Sequence, residues 1–343
     1  MSLPKRGKKP SGLKRAPAKQ ASPRKGGSLL GAMTVPLARL TGWPALDSTQ
    51  IAFRGGELTL LAGRSAHGKS NFLLNLMLNW LERDPKCRIL YYSLEMTPQQ
   101  AAARLLSMIT ARQGGASISS TQALKFLKEG SAPAPVTASL DILRALEERI
   151  SFTYEPLWDV DQLATDVMTK GADNVGAILV DPVTGLSVPP SRSRQDRRDL
   201  ELSHISRRLK EIAVRLNCPV IAAAPTRAMR FEEGEEMRAL IAKGREFQDM
   251  EIEDAIRARR TRLTHLAEGT LEQEADMVLG LLSYLSDFQQ EMEPDHRLLF
   301  QSRTRGLLEL SALKNRLGPL ENAELEMDSK TSLIRDNPLM KSL

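Results

Sequence analysis

The chain has 343 residues, of which 41% are hydrophobic, so it can bury a large core in one or two domains. It has two cysteines without a C-x-x-C motif and four scattered histidines, which argues against a disulfide framework or a zinc site. We find no signal peptide, and the longest apolar stretch, 277–285, is too short to cross a bilayer, so we expect a cytoplasmic protein with no membrane partner.

The net charge of +6 is unevenly distributed along the chain. Of the 48 Lys and Arg residues, ten precede Asp47, the first acidic residue, so the rest of the chain carries 38 basic residues against 42 acidic ones. Residues 1–28 are rich in Pro, Gly, Ser and Lys, and we expect them to form a disordered basic tail. Such a tail fits an arm that binds nucleic acid by counterion release, and equally a solvated tail or a docking peptide for another protein.

Residues 63–70 match the pattern G-x-x-x-x-G-K-[ST], the phosphate-binding loop of nucleotide hydrolases. Its flanks fit, because 58–62 reads as an apolar strand and 71–81 as a helix, which places a helix N-terminus under the phosphates. We expect Lys69 to neutralise phosphate charge and Ser70 to ligate Mg²⁺. The residues predicted to bind the nucleotide are Gly63, Arg64, Ser65, Ala66, His67, Gly68, Lys69, Ser70 and Asn71.

Strand-like and helix-like segments alternate through the body of the chain, which predicts an α/β fold with a mostly parallel sheet covered by helices. The remaining predicted strands are 88–93, 151–154, 177–180 and 220–224, and the remaining helices are 98–110, 160–170 and one that ends at 217–219. Near the end, 307–312 and 323–327 alternate around 316–319, which predicts an antiparallel hairpin. Residues 129–137 read as a loop, and 228–262 as a polar helical insertion.

Two acidic residues follow predicted strands. Asp181 follows the buried strand 177–180, the position of an acid that holds the Mg²⁺ of a P-loop NTPase. Glu95 follows the strand that ends at Ser93, where a carboxylate can deprotonate the attacking water. The residues alone equally allow Glu95 to be a helix N-terminal acid stabilised by the helix dipole.

Several blocks, in the same order, resemble the RecA-like motor domain of DnaB-family replicative helicases. They are T-G-W-P-A-L-D at 41–47, G-E-L at 56–58, S-L-E-M at 93–96, I-S-R-R-L-K at 205–210, G-T-L-E-Q-E-A-D at 269–276 and K-N-R-L-G-P at 314–319. The resemblance covers roughly 36–330. It implies a RecA-like P-loop core, ATP and Mg²⁺ as cofactors, Glu95 as the catalytic base, and a homo-oligomeric ring, a hexamer, on single-stranded DNA.

The same resemblance implies that Lys314 and Arg316 reach across a subunit interface to the neighbour's γ-phosphate. The residues themselves favour this in one respect, since the pair has no obvious partner within its own subunit and lies far from the phosphate loop in sequence. An arginine supplied by a neighbour stabilises charge in phosphoryl transfer. A solvated turn remains the alternative.

The chain also departs from the family pattern. The basic tail stands where most members have a helical N-terminal domain, Pro225 stands where the family has a phosphate-sensing Gln, and Leu266 aligns with a DNA-loop Arg. Four arginines near Leu266 are candidates to replace that Arg, or they lie on a solvated helix face. They are Arg257, Arg259, Arg260 and Arg262.

We therefore expect three parts: the tail 1–28, a RecA-like ATPase domain over 29–335 that includes the 228–262 insertion, and a C-terminal tail over 336–343. The first functional hypothesis is a ring helicase or translocase on single-stranded DNA, from a phage, plasmid or other mobile element. The second is a DnaB-like ATPase that acts as a switch or assembly platform in defence or recombination. It would bind a protein partner through the tail or 228–262.

Overall fold

The computed structural model describes residues 38–114, 117–157, 159–171, 175–189, 198–226, 260–266, 270–283 and 306–337. The predictions for the tail 1–28, for 338–343 and for residues 228–259 of the insertion lie outside these residues. The described residues belong to one compact unit that begins at Pro36.

A nine-stranded sheet forms the centre of the described fold. Its strands are β3 Leu58–Gly63, β4 Arg88–Ser93, β5 Ile150–Tyr154, β6 Val175–Asp181, β7 Val220–Pro225, β8 Met277–Ser283, β9 Leu307–Asn315, β10 Asn322–Met327 and β11 Ile334–Asp336. Their order is β11-β10-β9-β8-β3-β7-β6-β4-β5. Neighbouring strands from β8 to β5 are parallel, and β9, β10 and β11 pair antiparallel. A separate two-stranded pair joins β1 Ala38–Leu40 to β2 Ala52–Arg54.

Helices cover both faces of this sheet. They are α1 Pro44–Asp47, α2 Lys69–Arg83, α3 Pro98–Arg112, α4 Ser120–Glu129, α5 Ala134–Glu147, α6 Val160–Lys170, α7 Arg198–Leu216 and α8 Leu271–Glu274. One core cluster lies between the sheet and α2, α3 and α5, and the other between the sheet and α6 and α7. Alternate residues of β3 divide between them, since Leu61 joins the first cluster and Leu60 the second. The predicted fold class, including the antiparallel hairpin, is confirmed.

Two local predictions were wrong. The loop expected over 129–137 is short, because α4 ends at Glu129 and α5 begins at Ala134. Pro135 lies in the first turn of α5, where a missing N–H breaks no helical hydrogen bond. The helix expected up to Arg262 is also wrong at its end, because residues 260–262 are not helical.

The parallel strands give the sheet two chemically different edges. The carboxyl ends of β3, β4, β6 and β7 lie along one edge, where Gly63 pairs with Pro225 and Ser93 with Asp181. Because β9 runs antiparallel to β8, its last residue, Asn315, pairs with Met277 at the opposite edge. At about 3.3 Å per residue, the six residues of β3 separate the two edges by roughly 20 Å.

Among the described residues, no helix is both long enough and apolar enough to cross a membrane.

Candidate functional site

The segment between β3 and α2 has the backbone of a phosphate-binding loop. Ala66 and Gly68 have φ values of 64° and 87°, in the left-handed region, and Gly68 is the N-cap of α2. No side chain caps this helix N-terminus. The backbone N–H groups and the positive end of the helix dipole are thus available for an anion, which is the requirement for binding phosphate.

Lys69 supplies the cation of this loop. Its Nζ donates hydrogen bonds to the carbonyl oxygens of Gly63 at 2.8 Å and Arg64 at 2.7 Å. Burial lowers the pKa of Lys69, and the nearby carboxylates of Asp181 and Glu95 oppose that shift. A partly buried ammonium with carbonyl partners can transfer to phosphate oxygens at small cost, since both are oxygen acceptors.

Asp181 lies at the carboxyl end of β6 with 5% of its surface exposed. It accepts a hydrogen bond from the Tyr91 hydroxyl at 2.9 Å and another from the Ser70 hydroxyl. Burial raises the pKa of Asp181, and these two hydrogen bonds, with Lys69 and Arg104, oppose the rise. A buried carboxylate beside a hydroxyl at a phosphate loop provides the hard oxygen donors that Mg²⁺ requires.

The donor set also fits the way in which Mg²⁺ is usually held. No group of three or more His, Cys, Asp or Glu side chains comes together among the described residues, so they contain no all-protein metal cage. Mg²⁺ typically takes one or two protein oxygens and completes its octahedron with phosphate oxygens and water. Ser70 and Asp181 are suited to that arrangement when a nucleotide is bound.

Glu95 faces the same cleft. The Leu94 N–H donates to the Asp181 carbonyl at 2.8 Å, which fixes the turn after β4 beside the end of β6. Glu95 is exposed, and α3 is capped by Thr97 in a capping box with Gln100. Glu95 itself stands two residues before this cap and lines the cleft, a position from which a base can reach the attacking water.

A cleft of about 330 Å³ brings most of the predicted residues together. Its lining is Ser65, Ala66, Gly68, Lys69, Ser70, Asn71, Glu95, Arg104, Asp181, Pro182 and Pro225. Gly63 and Arg64 take part through their carbonyl groups, which bind Lys69. His67 does not line the cleft: it is fully buried and accepts a hydrogen bond from Ser283 N–H at 3.4 Å.

Sequence reasoning missed Arg104 and Tyr91. Arg104 lies on α3, donates to Asn71 Oδ1 at 3.0 Å and lowers the pKa of Asp181 through its charge. The helical periodicity could have identified Arg104. It is seven residues after the cap Thr97, so it lies two turns later on the same face of the helix. Tyr91 carried no such signal, since a tyrosine in a buried strand usually belongs to the core.

Lys314 and Arg316 lie at the opposite edge of the sheet from this cleft. Lys314 Nζ donates to the Glu272 carbonyl at 2.6 Å, and Arg316 contacts Asp276 Oδ1 at 3.1 Å. The expectation that the pair lacks partners within its own subunit was therefore wrong. The separation of roughly 20 Å along β3 is nevertheless too large for Arg316 to reach the phosphate loop of its own subunit.

Leu266 and Arg260, near the expected DNA loop, make contacts within the subunit. Leu266 is 1% exposed, pairs with Thr226 in an isolated bridge and belongs to a core cluster. Arg260 forms an ion pair of 2.5 Å with the buried Glu309 of β9. Arg262 precedes a 3₁₀ turn at Leu263–His265. Arg257 and Arg259 lie outside the described residues.

The cleft combines a phosphate loop, an acid at the end of β6 and a carboxylate after β4. It lies on a parallel sheet that an antiparallel hairpin continues. These features together define a P-loop nucleotide-binding protein with a RecA-like core. The model of the DnaB-like helicase C-terminal domain family matches residues 40–336, and the chain belongs to this family.

Curated relatives agree with that assignment. The replicative DNA helicase DnaB of Rickettsia bellii is 30% identical over 319 residues, an alignment that covers 85% of this chain and 56% of the relative. A probable plasmid replicative DNA helicase of Chlamydia psittaci is 24% identical over 304 residues, covering 85% of this chain and 54% of the relative. The chain thus spans about half the length of the curated relatives it matches.

Solved structures show the same fold. A DnaB-like replicative helicase, solved in a study of its interactions with primase, aligns with a TM-score of 0.65 at 20% identity, covering 90% of this chain and 64% of that chain. A separately solved ATPase domain gives the same TM-score and identity, covering 94% of that domain. The RadB recombinase aligns at 0.51 and 16% identity, covering 87% of this chain and 99% of its own.

Proposed function

We propose that this chain is the ATP-hydrolysing motor of a homo-oligomeric ring, a hexamer, that moves on single-stranded DNA. The observation that supports it most is the division of the candidate site between two sheet edges. Lys69, Asp181 and Glu95 lie at one edge, and Lys314 and Arg316 lie roughly 20 Å away. A head-to-tail contact, repeated until the ring closes, lets one subunit's Arg316 complete the next subunit's cleft.

Each residue then has one chemical task. The loop amides and Lys69 bind the β- and γ-phosphates of ATP, and Ser70 and Asp181 would hold Mg²⁺, which would supply positive charge to neutralise the phosphates. Glu95 accepts a proton from the attacking water. Lys314 and Arg316 of the neighbouring subunit stabilise the charge that develops on the γ-phosphoryl oxygens.

The proposal that the ring moves on DNA rests on the curated relatives and on the amino-acid composition of the chain. Of the two curated relatives described above, one is named as a replicative DNA helicase and the other as a probable plasmid replicative DNA helicase. Only 4% of residues are aromatic, so contacts to single-stranded DNA would be mainly to phosphate and insensitive to sequence. The nine basic residues of the tail 1–28 can add to them. We extend the proposal to an origin in a phage, plasmid or other mobile element.

A second candidate function is a DnaB-like ATPase that acts as a switch or assembly platform without processive unwinding. Two observations favour it: Pro225, which cannot offer an amide side chain, lines the cleft, and Leu266 is buried in the core. Pro225 stands at the position of the expected phosphate sensor and Leu266 at that of the expected DNA-loop arginine, so both changes bear on the coupling of hydrolysis to DNA more than on hydrolysis itself.

The two functions are separated by ATPase rates measured with and without single-stranded DNA, alongside the mass of the assembly, with Lys69→Ala as the inactive control. The helicase proposal expects a ring-sized mass and a rate that DNA raises. A ring-sized assembly whose ATPase rate does not change with DNA would favour the switch function. A monomer with the full rate would contradict the shared site.

A further inference from the structure

Asp276 is a buried carboxylate at the centre of a charge cluster, at the sheet edge away from the phosphate loop. It lies between α8 and β8 and is 7% exposed. Its Oδ2 accepts from Lys210 Nζ at 2.6 Å and from Leu58 N–H at 2.8 Å, and its Oδ1 contacts Arg316 at 3.1 Å. We call Asp276, Lys210, Leu58 and Arg316 the Asp276 cluster.

Arg316 is attached to this cluster by both its backbone and its side chain. Its N–H donates to the Asp276 carbonyl at 3.1 Å, and its guanidinium also donates to the Gln273 carbonyl at 3.2 Å. A guanidinium has five N–H donors in a rigid plane. Nη1 donates to Asp276 and Nη2 donates to the Gln273 carbonyl, so these two contacts use only part of the donor set, and half of the side chain is exposed.

The carboxylate that holds Arg316 is itself well fixed. Lys210 compensates the charge of Asp276, so the buried carboxylate is not left unpaired. The two backbones are also joined, because Asp276 N–H donates to the Leu58 carbonyl at 2.9 Å. Leu58 begins β3, the strand that ends in the phosphate loop. The cluster therefore connects Arg316 to the strand that carries its own subunit's nucleotide site.

We propose that Asp276 is a positioning residue for Arg316: it orients the guanidinium so that the exposed side meets the nucleotide of the neighbouring subunit. This inference rests on the proposed function, because it assumes that Arg316 acts across a subunit interface. It assigns Asp276 no contact with the nucleotide. Its effect must therefore appear in the turnover of the neighbour's site and leave nucleotide binding unchanged.

The test uses Asp276→Asn, which keeps the shape and one oxygen acceptor but removes the charge. A displacement of about 1 Å at a catalytic group costs on the order of 10²-fold in rate, so we expect kcat to fall by about that factor. We expect the dissociation constant for ATP, measured by fluorescence, to stay within about threefold of the parent. Asp161→Asn is the control for the loss of an aspartate–arginine ion pair. Asp161 lies on α6, outside the site, and pairs with Arg208 of α7 at 2.9 Å.

Mixing variants then separates positioning from a merely structural role. Mixed with Lys69→Ala, Asp276→Asn should regain activity, because its intact phosphate loop meets the intact Arg316 of the other variant. Mixed with Arg316→Ala, it should regain none, because every interface then lacks a correctly held arginine. Recovery with Arg316→Ala, or a parental rate for Asp276→Asn alone, would overturn the inference.

Two controls distinguish failure of this inference from failure of the proposed function and from misfolding of the variant. Mixing Lys69→Ala with Arg316→Ala tests the shared site itself, so failure there refutes the proposed function, and this inference with it. If Asp276→Asn does not fold, Asp276→Glu replaces it, since it keeps the charge and moves the carboxylate by about one methylene. It should show the same pattern of recovery, and a parental rate would again overturn the inference.

Discussion

Removing the Tyr91 hydroxyl should weaken Mg²⁺ binding without disturbing the phosphate loop. In Tyr91→Phe the ring remains, stacked on Phe152 at 5.1 Å between centroids, and one hydrogen bond to Asp181 Oδ2 is lost. Asp181 keeps its hydrogen bond from Ser70. The carboxylate should therefore stay in place but become less rigidly oriented toward the ion.

The size of the effect follows from the burial of the pair. A hydrogen bond to a charged group contributes about 1.5–3 kcal/mol. Loss of a partner that orients a metal ligand typically costs about 10- to 100-fold in metal affinity, or roughly 1.4–2.7 kcal/mol. We therefore expect the Mg²⁺ concentration that gives half-maximal binding of a fluorescent ADP analogue to rise by about 10- to 100-fold. Binding in EDTA should not change.

Tyr92→Phe is a close control for this experiment. Tyr92 is adjacent in β4, points to the other face and donates to Asp166 Oδ2 at the same 2.9 Å. Each variant loses one phenol–carboxylate hydrogen bond, which is buried for Tyr91 and part-buried for Tyr92, so both should lose unfolding free energy. A parental Mg²⁺ midpoint in Tyr91→Phe, or an equal shift in Tyr92→Phe, would refute the assignment of Tyr91 to the metal site.

Three further predictions address the base, the tail and the buried Leu266. Glu95→Gln should bind ATP normally but lose about 10²- to 10⁴-fold in kcat, because an amide cannot accept the proton; Glu155→Gln, an exposed change at the end of β5, is its control. A near-parental rate would place the base elsewhere. Deletion of residues 1–28 should preserve the ATPase site and, if the tail is a nucleic-acid arm, reduce the slope of DNA affinity against salt concentration. An unchanged slope would favour a docking or solvated tail. Leu266→Arg, which restores the family's residue type, should lower the free energy of unfolding in urea by about 3–5 kcal/mol, because it buries an unpaired charge. A loss of unfolding free energy below about 1 kcal/mol would show that the arginine side chain reaches solvent.

The sequence predicted the sheet and the phosphate loop because both depend on local patterns. Apolar strands alternate with amphipathic helices, and the loop residues are consecutive. The helices α4 and α5 were missed although Ser119 forms a capping box with Gln122 and Gly130 ends α4 in the left-handed region. Pro133 and Pro135 were interpreted as loop residues, whereas the first turn of a helix tolerates proline.

The contacts of Asp276 and Tyr91 could not be predicted in the same way. Asp276 meets Leu58 across 218 residues of sequence, and Tyr91 meets Asp181 across 90. Both contacts depend on the order of strands in the sheet, which places β8 beside β3 and β6 beside β4. Composition and periodicity do not determine that order.

The shared site is tested most directly by the ATPase activity of mixed assemblies of Arg316→Ala and Lys69→Ala. Each variant alone should be nearly inactive, since every interface lacks either the arginine or the phosphate-loop lysine. In a mixed ring, some interfaces join an intact Lys69 to an intact Arg316, so activity should reappear and depend on the mixing ratio. No recovery at any ratio, with co-assembly verified by a tagged pull-down, would contradict the account.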